Sequence, residues 1–213
     1  DSDNIFASSY SQNAIKMGAD IVVYSTTKHF DGQGRTLGGA VLGSQNFIKE
    51  ILLPFHRHTG PALSPFNAWI IFKALETYHM RMQKHCENAK KIAEFLENHP
   101  KISRTFYPKL KSHKQFHIAE KQMINGGAMI AFETIGNKKD CFKLMNSLQI
   151  IDISNNLGDA KSLITHPSTT THSNISLDEQ RKIGITETMC RLSVGLENCD
   201  DLINDLKNSL DKI

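Results

Sequence analysis

A lysine follows three hydroxyl residues at the end of an apolar run, in the order Ile-Val-Val-Tyr-Ser-Thr-Thr-Lys. The β-branched and aromatic side chains of residues 21–24 predict a strand that is covered on both faces. Lys28 then lies at the end of this strand, close to Ser25 and Thr27. A lysine amine that loses its proton in a partly buried position is a nucleophile. The alternative is a solvated lysine at a strand end, because most lysines are exposed.

The backbone after Lys28 is rich in glycine, with glycines at positions 32, 34, 38 and 39. Such a backbone can adopt unusual dihedral angles and can approach a ligand or another strand closely. The apolar residues 40–42 then predict a second strand. The sequence therefore predicts a nucleophilic lysine between two buried strands.

These residues resemble a known family. The run YSTTKHFDGQGRTLGGAVLG (24–43) is similar to the cofactor-lysine segment of the pyridoxal-phosphate enzymes of cysteine and methionine metabolism, the cystathionine γ-synthase family. The variant DGQGR (31–35) and the segment GPALSPFNAWIIFKALET (60–77) are most similar to the O-succinylhomoserine sulfhydrylase branch. The motif RLSVGLE (191–197) also matches the family.

The resemblance implies an α/β fold, that of the aspartate aminotransferase-like (fold type I) transferases that depend on pyridoxal phosphate. Residues 1–63 would be part of the large, cofactor-binding domain. Residues 64–213 would form a smaller α+β carboxy-terminal domain together with the linking helices. Family members carry a glycine-containing phosphate loop and cofactor-binding tyrosines ahead of the point where this chain begins. We therefore expect the chain to correspond to the carboxy-terminal half of such an enzyme.

The resemblance also assigns roles to residues near the cofactor. Lys28 would bond pyridoxal 5'-phosphate covalently, and the hydroxyls of Ser25 and Thr27 would donate hydrogen bonds to its phosphate. Asp3 would pair with the pyridinium nitrogen, since a carboxylate that holds the ring proton keeps the ring electron-withdrawing. Judged without the resemblance, Asp3 is equally well a frayed terminal acid.

Two further residues are expected to contact the substrate. Arg191 lies in an apolar run that predicts a strand, where a guanidinium is costly unless it is paired. The resemblance implies that Arg191 grips the α-carboxylate of an amino-acid substrate, for which its planar fork is suited. Residues 162–172 (SLITHPSTTTH) read as a loop after a strand. The resemblance makes Ser162 in this segment a candidate near the substrate carboxylate.

Composition excludes several classes of function. The chain has 213 residues, 39% hydrophobic and 22% charged, with a dispersed net charge of +3 that does not indicate nucleic-acid binding. No apolar stretch is long enough to span a bilayer, so we expect a cytoplasmic protein without membrane contacts. The cysteines form no CxxC pair, and His113 and His117 lack further ligands nearby. We therefore expect reduced thiols and no metal site.

Periodicity predicts the remaining elements. The predicted helices cover residues 11–17, 65–78, 79–98, 113–124 and 137–148, with a terminal helix after Asn198. Strands are expected at 102–107, 128–134, 150–154 and 190–196. The strands should form an antiparallel sheet with helices on one side.

The leading hypothesis is replacement of the γ-substituent of an activated homoserine by a sulfur nucleophile, as in an O-succinylhomoserine sulfhydrylase. A cystathionine γ-synthase or a γ-lyase of the same family is the alternative. From another class, the chain could be an inactive remnant or a non-catalytic interaction subunit. The partners expected are an amino-acid substrate, a sulfur donor, and either further copies in a homo-oligomer or an amino-terminal companion chain.

Overall fold

The computed structural model describes all 213 residues and contains two separate sheets. In chain order, the strands and α-helices are β1 (Ser2–Asp3), α1 (Ser8–Ser11), β2 (Ile21–Ser25), β3 (Gly39–Gly43), α2 (Leu53–Thr59), α3 (Pro65–Leu75), α4 (Tyr78–Glu97), β4 (Ile102–Phe106), α5 (Phe116–Gln122), β5 (Met129–Thr134), α6 (Lys138–Ser147), β6 (Asp152–Ile153), β7 (Leu163–Thr165), α7 (Leu177–Lys182), β8 (Met189–Ser193) and α8 (Cys199–Leu210). Short turns of other helical types lie at Ile15–Met17, Thr26–Phe30, Phe47–Leu52 and Pro167–Thr169. None of the helices has the length and apolarity needed to cross a membrane.

The first sheet is small and has β2 at its centre. β1 pairs with β2 in parallel, and β3 pairs with β2 antiparallel. Val22 and Tyr24 are buried, whereas Ile21 and Val23, which alternate with them along the strand, are only partly buried. The prediction of a strand at residues 21–24 is confirmed, but the prediction that both its faces are covered is wrong. The reason is that only one face has a core beneath it, a cluster of three buried residues.

The second sheet carries most of the hydrophobic core. Its strand order is β4-β5-β8-β7-β6, and all pairs are antiparallel except β6 with β7. A cluster of 20 buried residues joins this sheet to α4, α6 and α8. Phe132 of β5 and Leu192 of β8 meet Ile92 of α4 and Leu206 of α8 there, and all four have 0% exposure. The predicted sheet and its covering helices are confirmed, apart from the parallel β6–β7 pair.

The two central helices form where the sequence places them. Ser64 begins α3 by accepting a hydrogen bond from the backbone N–H of Asn67, and Pro65 follows at the first helical position. The chain breaks at Thr77 and continues as α4. This long helix runs from the Lys28 region to the second sheet, so it connects the two parts of the molecule.

Three sequence expectations are corrected. Residues 11–17 contain only one short turn, because Gln12 is extended and its carbonyl accepts from the side chain of Asn4. The strand expected at 150–154 is reduced to β6. The segment 162–172 is not entirely a loop, because Leu163–Thr165 is a buried strand between β6 and β8.

Candidate functional site

Lys28 lies just beyond the carboxyl end of β2. Residues Thr26–Phe30 form a wide helical turn, which Lys28 interrupts with φ −89° and ψ −123°. Its Nζ donates a hydrogen bond to Oδ1 of Asn156 over 2.5 Å. The amine of Lys28, at the end of β2, therefore contacts the loop between β6 and β7 of the second sheet.

The environment of Lys28 shifts its protonation equilibrium toward the neutral amine. Partial burial lowers the pKa of Lys28 below its ordinary value, and the positive charge of Arg191 lowers it further. Both effects penalise the ammonium form. A larger fraction of Lys28 is therefore available as a nucleophile than for a solvated lysine.

Arg191 stands on β8 with part of its guanidinium uncommitted. Its Nη2 donates to the backbone carbonyls of Asn155 at 2.8 Å and Asn156 at 3.3 Å. Its Nε is buried and has no hydrogen-bond partner. A buried guanidinium N–H without an acceptor is costly, and an anion such as a carboxylate would satisfy it.

Asn156 is a site residue that the sequence did not reveal. Its side chain accepts from Lys28 while its backbone carbonyl accepts from Arg191. The only sequence signal is the polar turn Asn155–Asn156 ahead of Leu157 and Gly158, and the contact spans 128 positions. Asn156 therefore links the amine of Lys28 and the guanidinium of Arg191, which are far apart in the sequence.

The loop that carries Asn156 packs tightly against the Lys28 turn. Gly158 has φ +74°, and a Cβ at this position would lie 2.7 Å from the backbone nitrogen of His29. Next in the loop, the N–H of Ala160 donates to the carbonyl of Gly32 at 2.7 Å. Only glycine permits this approach, so the loop and the Lys28 turn are fixed against each other.

The hydroxyls beside Lys28 differ in their environments. Ser25 lines the same small depression as Lys28. Thr27 accepts a hydrogen bond from the backbone N–H of Gly38 at 3.2 Å, which leaves its own proton free to be donated. Thr26 is buried, and its hydroxyl has no partner. Ser25 and Thr27 thus carry the two hydroxyls that can donate hydrogen bonds to a ligand at the end of β2.

Asp3 lies on the strand next to that of Lys28. It pairs with Val23 in the parallel register, and its carboxylate is exposed. One oxygen accepts from the N–H of Ile5 at 3.1 Å, and the other is free. The following residue, Asn4, is buried and donates to the hydroxyl of Tyr24 at 3.1 Å. This bond holds the Asp3 end of the chain against β2.

Ser162 does not stand in the site, which corrects the sequence expectation. It has 0% exposure. Its hydroxyl donates to Glu197 at 2.9 Å and accepts from the N–H of Gly195 at 2.8 Å, so it is committed to internal bonds. Ser162 supports the chain that follows β8, and its hydroxyl is not exposed to a ligand.

The residues fit the pyridoxal phosphate expected from the sequence. A reactive amine, two neighbouring hydroxyls and a carboxylate one strand away match the aldehyde, phosphate and pyridinium groups of this cofactor. The orphaned Nε of Arg191 adds a place for a further anionic group. This fit rests on Lys28, Ser25, Thr27 and Asp3.

Comparison with known proteins agrees with this chemistry. Residues 2–211 match the profile of the Cys/Met metabolism PLP-dependent enzyme family. O-succinylhomoserine sulfhydrylase from Mycobacterium tuberculosis is 47% identical over 98% of this chain and 52% of that protein. L-methionine gamma-lyase from Fusobacterium nucleatum subsp. polymorphum is 43% identical over 99% of this chain and 54% of the relative. The chain spans about half the length of the curated relatives it matches.

Solved structures share the fold. A crystal structure of cystathionine gamma synthase from Xanthomonas oryzae pv. oryzae, in complex with aminoacrylate and cysteine, superposes with a TM-score of 0.94 at 33% identity. The aligned region covers 99% of this chain and 54% of the Xanthomonas oryzae chain. Cystathionine gamma-lyase from Lactobacillus plantarum, complexed with L-serine, gives 0.93 at 34% identity. The α/β fold of these enzymes is thus that of the present chain.

Proposed function

The chain belongs to the Cys/Met metabolism PLP-dependent enzymes, and on that premise we propose that the protein containing it replaces the γ-substituent of an activated homoserine with a sulfur nucleophile. The observation that carries the proposal is the contact of Lys28 with Asn156 beside Arg191. It joins a nucleophilic amine to a guanidinium suited to an amino-acid carboxylate. The 47% identity to O-succinylhomoserine sulfhydrylase supports this activity, and the 43% identity to L-methionine gamma-lyase makes γ-elimination the second candidate.

We assign the cofactor-binding roles to residues on the small sheet. Lys28 would bind pyridoxal phosphate through its neutral amine, Ser25 and Thr27 would donate hydrogen bonds to the phosphate, and the free oxygen of Asp3 would hold the proton of the ring nitrogen. When bound, the cofactor supplies an electron sink for negative charge at the substrate α-carbon. The lowered pKa of Lys28 suits its amine to move protons at the α- and β-carbons of the substrate. Loss of one proton from each carbon would let the γ-substituent leave as an anion, and both protons would return after the sulfur nucleophile has added.

We assign substrate positioning to Arg191 and Asn156. The unpaired Nε of Arg191 donates to the α-carboxylate, while its Nη2 stays anchored on the loop carbonyls. The side chain of Asn156 orients the amine of Lys28 toward the same place. In this arrangement Arg191 of β8 holds the substrate carboxylate, and Asn156 of the neighbouring loop keeps the amine of Lys28 close to the reacting carbon.

We propose that a further polypeptide covers an apolar face near α3, either another copy of this chain or a companion chain. Phe66, Trp69 and Phe72 are each at least 60% exposed on α3, and Leu37 is 78% exposed nearby. An exposed apolar surface of this kind marks an interface. Sedimentation should find an oligomer, and a monodisperse monomer would contradict this part of the proposal.

The activity is tested on the purified protein that contains this chain, loaded with pyridoxal phosphate. With O-succinylhomoserine and sulfide, we expect release of succinate together with homocysteine. With methionine alone, a γ-lyase would instead release methanethiol, ammonia and a 2-oxo acid. Faster turnover of methionine than of O-succinylhomoserine would favour the lyase assignment, and turnover of neither would overturn the proposal.

A further inference from the structure

One face of α4 carries three polar residues that point into the protein. Arg81, His85 and Asn88 are four and three positions apart, a spacing that places them on one side of a helix. His85 and Asn88 are 0% and 1% exposed, and Arg81 is half-buried. We call these residues the α4 polar stripe. Burying such groups is unfavourable unless they are hydrogen-bonded, so their partners show what they stabilise.

Arg81, at one end of the stripe, binds the turn that follows Lys28. Its Nη1 donates to the carbonyl of His29 at 2.8 Å, and its Nη2 donates to that of Phe30 at 3.0 Å. The guanidinium lies directly over Gly32, where a Cβ would be only 2.1 Å from Nη1. The turn therefore has no side chain where Arg81 approaches, and both backbone carbonyls after Lys28 are fixed by one group.

The other end of the stripe binds the chain that leaves β8. Nδ1 of His85 lies 2.7 Å from the carbonyl of Val194 and donates to it. The side chain of Asn88 donates to the carbonyls of Gly195 at 3.1 Å and Glu197 at 2.9 Å. These bonds hold the strand that carries Arg191. They also hold Glu197, to which Ser162 donates.

We propose that the α4 polar stripe is a positioning device that sets the distance between Lys28 and Arg191. Arg81 fixes the lysine turn and Asn88 fixes the arginine strand, while His85 lies between them with its ring 6.0 Å from that of His29. Because both ends belong to one rigid helix, a shift at either end changes the geometry of the site without touching the substrate. This inference rests on the proposed function for its catalytic meaning, and its structural part stands on the hydrogen bonds alone.

The structural part is tested by hydrogen exchange on the chain without cofactor. Arg81→Lys keeps the charge but loses the two-pronged contact, so the amides of Asp31 and Gly32 should exchange about tenfold faster or more. Asn88→Ala should accelerate the amides of Gly195 and Leu196 instead. Lys91→Ala, at an exposed position on the same helix, is the control and should change neither set.

The functional part is tested on the intact protein with pyridoxal phosphate. We expect Arg81→Lys to weaken cofactor retention about tenfold or more. We expect Asn88→Ala to raise the KM for the amino-acid substrate by a similar factor, with cofactor retention nearly unchanged.

The two parts fail in different ways. Equal acceleration of every amide, including that of Phe132 in the core, would mean general destabilisation and would overturn the inference. Unchanged exchange in both variants would overturn it as well. If wild-type protein neither binds the cofactor at Lys28 nor turns over substrate, the proposed function fails, while the exchange result still decides the positioning role.

Discussion

The region of residues 1–63 and the region of residues 64–213 are built in different ways. The first has a three-stranded sheet over a cluster of three buried residues, yet it carries Lys28 and every proposed cofactor ligand. The second has a five-stranded sheet and a cluster of 20 buried residues, and it supplies Arg191, Asn156 and the α4 polar stripe. The amine proposed to bind the cofactor therefore lies on the region with the smaller core and is hydrogen-bonded to the region with the larger one.

Separating the two regions is expected to have the largest effect. We propose the boundary at Ser64, where α3 begins with its own cap. A polypeptide of residues 64–213 is expected to unfold cooperatively in a denaturant titration, because it contains the whole larger core. A polypeptide of residues 1–63 is expected to show no such transition. Cooperative unfolding of the shorter piece, or none for the longer one, would break the comparison.

Truncating single side chains should also affect stability differently in the larger core and at the surface, with smaller effects. Phe132→Ala removes a fully buried ring from the larger core and should lower the free energy of unfolding by about 3–5 kcal/mol. Phe55→Ala is the matched control, because that ring is 64% exposed on α2 and its loss should change stability by less than about 0.5 kcal/mol. Chemical denaturation measures both variants. Similar losses would mean that the exposed face of α2 also stabilises the chain.

The Arg191→Lys variant tests whether residues 64–213 bind the substrate while residues 1–63 bind the cofactor. The variant keeps a positive charge but loses the planar fork, so substrate binding should weaken by about 1.5–3 kcal/mol, or roughly tenfold to a hundredfold. Cofactor binding, assigned to the other region, should change much less. Arg181→Lys, at an exposed position, is the control. Equal losses of substrate and cofactor would mean that Arg191 serves the structure of the site as a whole.

Acid should loosen the contact between the regions before it unfolds the larger core. Burial, together with the positive charges that His85 and Arg81 can carry, lowers the pKa of His29 to about 3. Burial also lowers the pKa of His85 to about 4, and Arg81 adds to this, whereas the hydrogen bond to Val194 and the charge of Asp159 oppose it. Both rings are neutral in the folded chain at pH 7.

The sign of the pH dependence follows from these shifts. An unfolded histidine titrates near its ordinary value of about 6.5, so below that pH the unfolded chain binds more protons than the folded one. Stability is therefore complete above about pH 6.5 and is lost as the pH falls toward 4 and 3, by up to about 1.4 kcal/mol per pH unit for each ring. His85→Gln should make the slope shallower, and His117→Gln, at an exposed position, should not. An unchanged slope in His85→Gln would contradict this account.

The sequence predicts the local features of both regions and misses the contacts between them. The strand before Lys28, the Ser64 cap and the helices around the larger core follow from residue type and spacing, which act over a few positions. Asn156 escapes prediction because its bond to Lys28 depends on how two distant elements pack. The resemblance of its segment to the family motif places Ser162 in the site, and only the fold shows that its hydroxyl is hydrogen-bonded to Glu197 and Gly195.

The central claim, that Lys28 is the amine that binds the cofactor, is tested most directly by trapping the bond. The protein containing this chain is incubated with pyridoxal phosphate, reduced with borohydride, digested and analysed by mass spectrometry. We expect the pyridoxyl label on Lys28, and we expect Lys16, an exposed lysine of the same region, to remain unlabelled. A label on a different lysine, with Lys28 unmodified, would contradict the account.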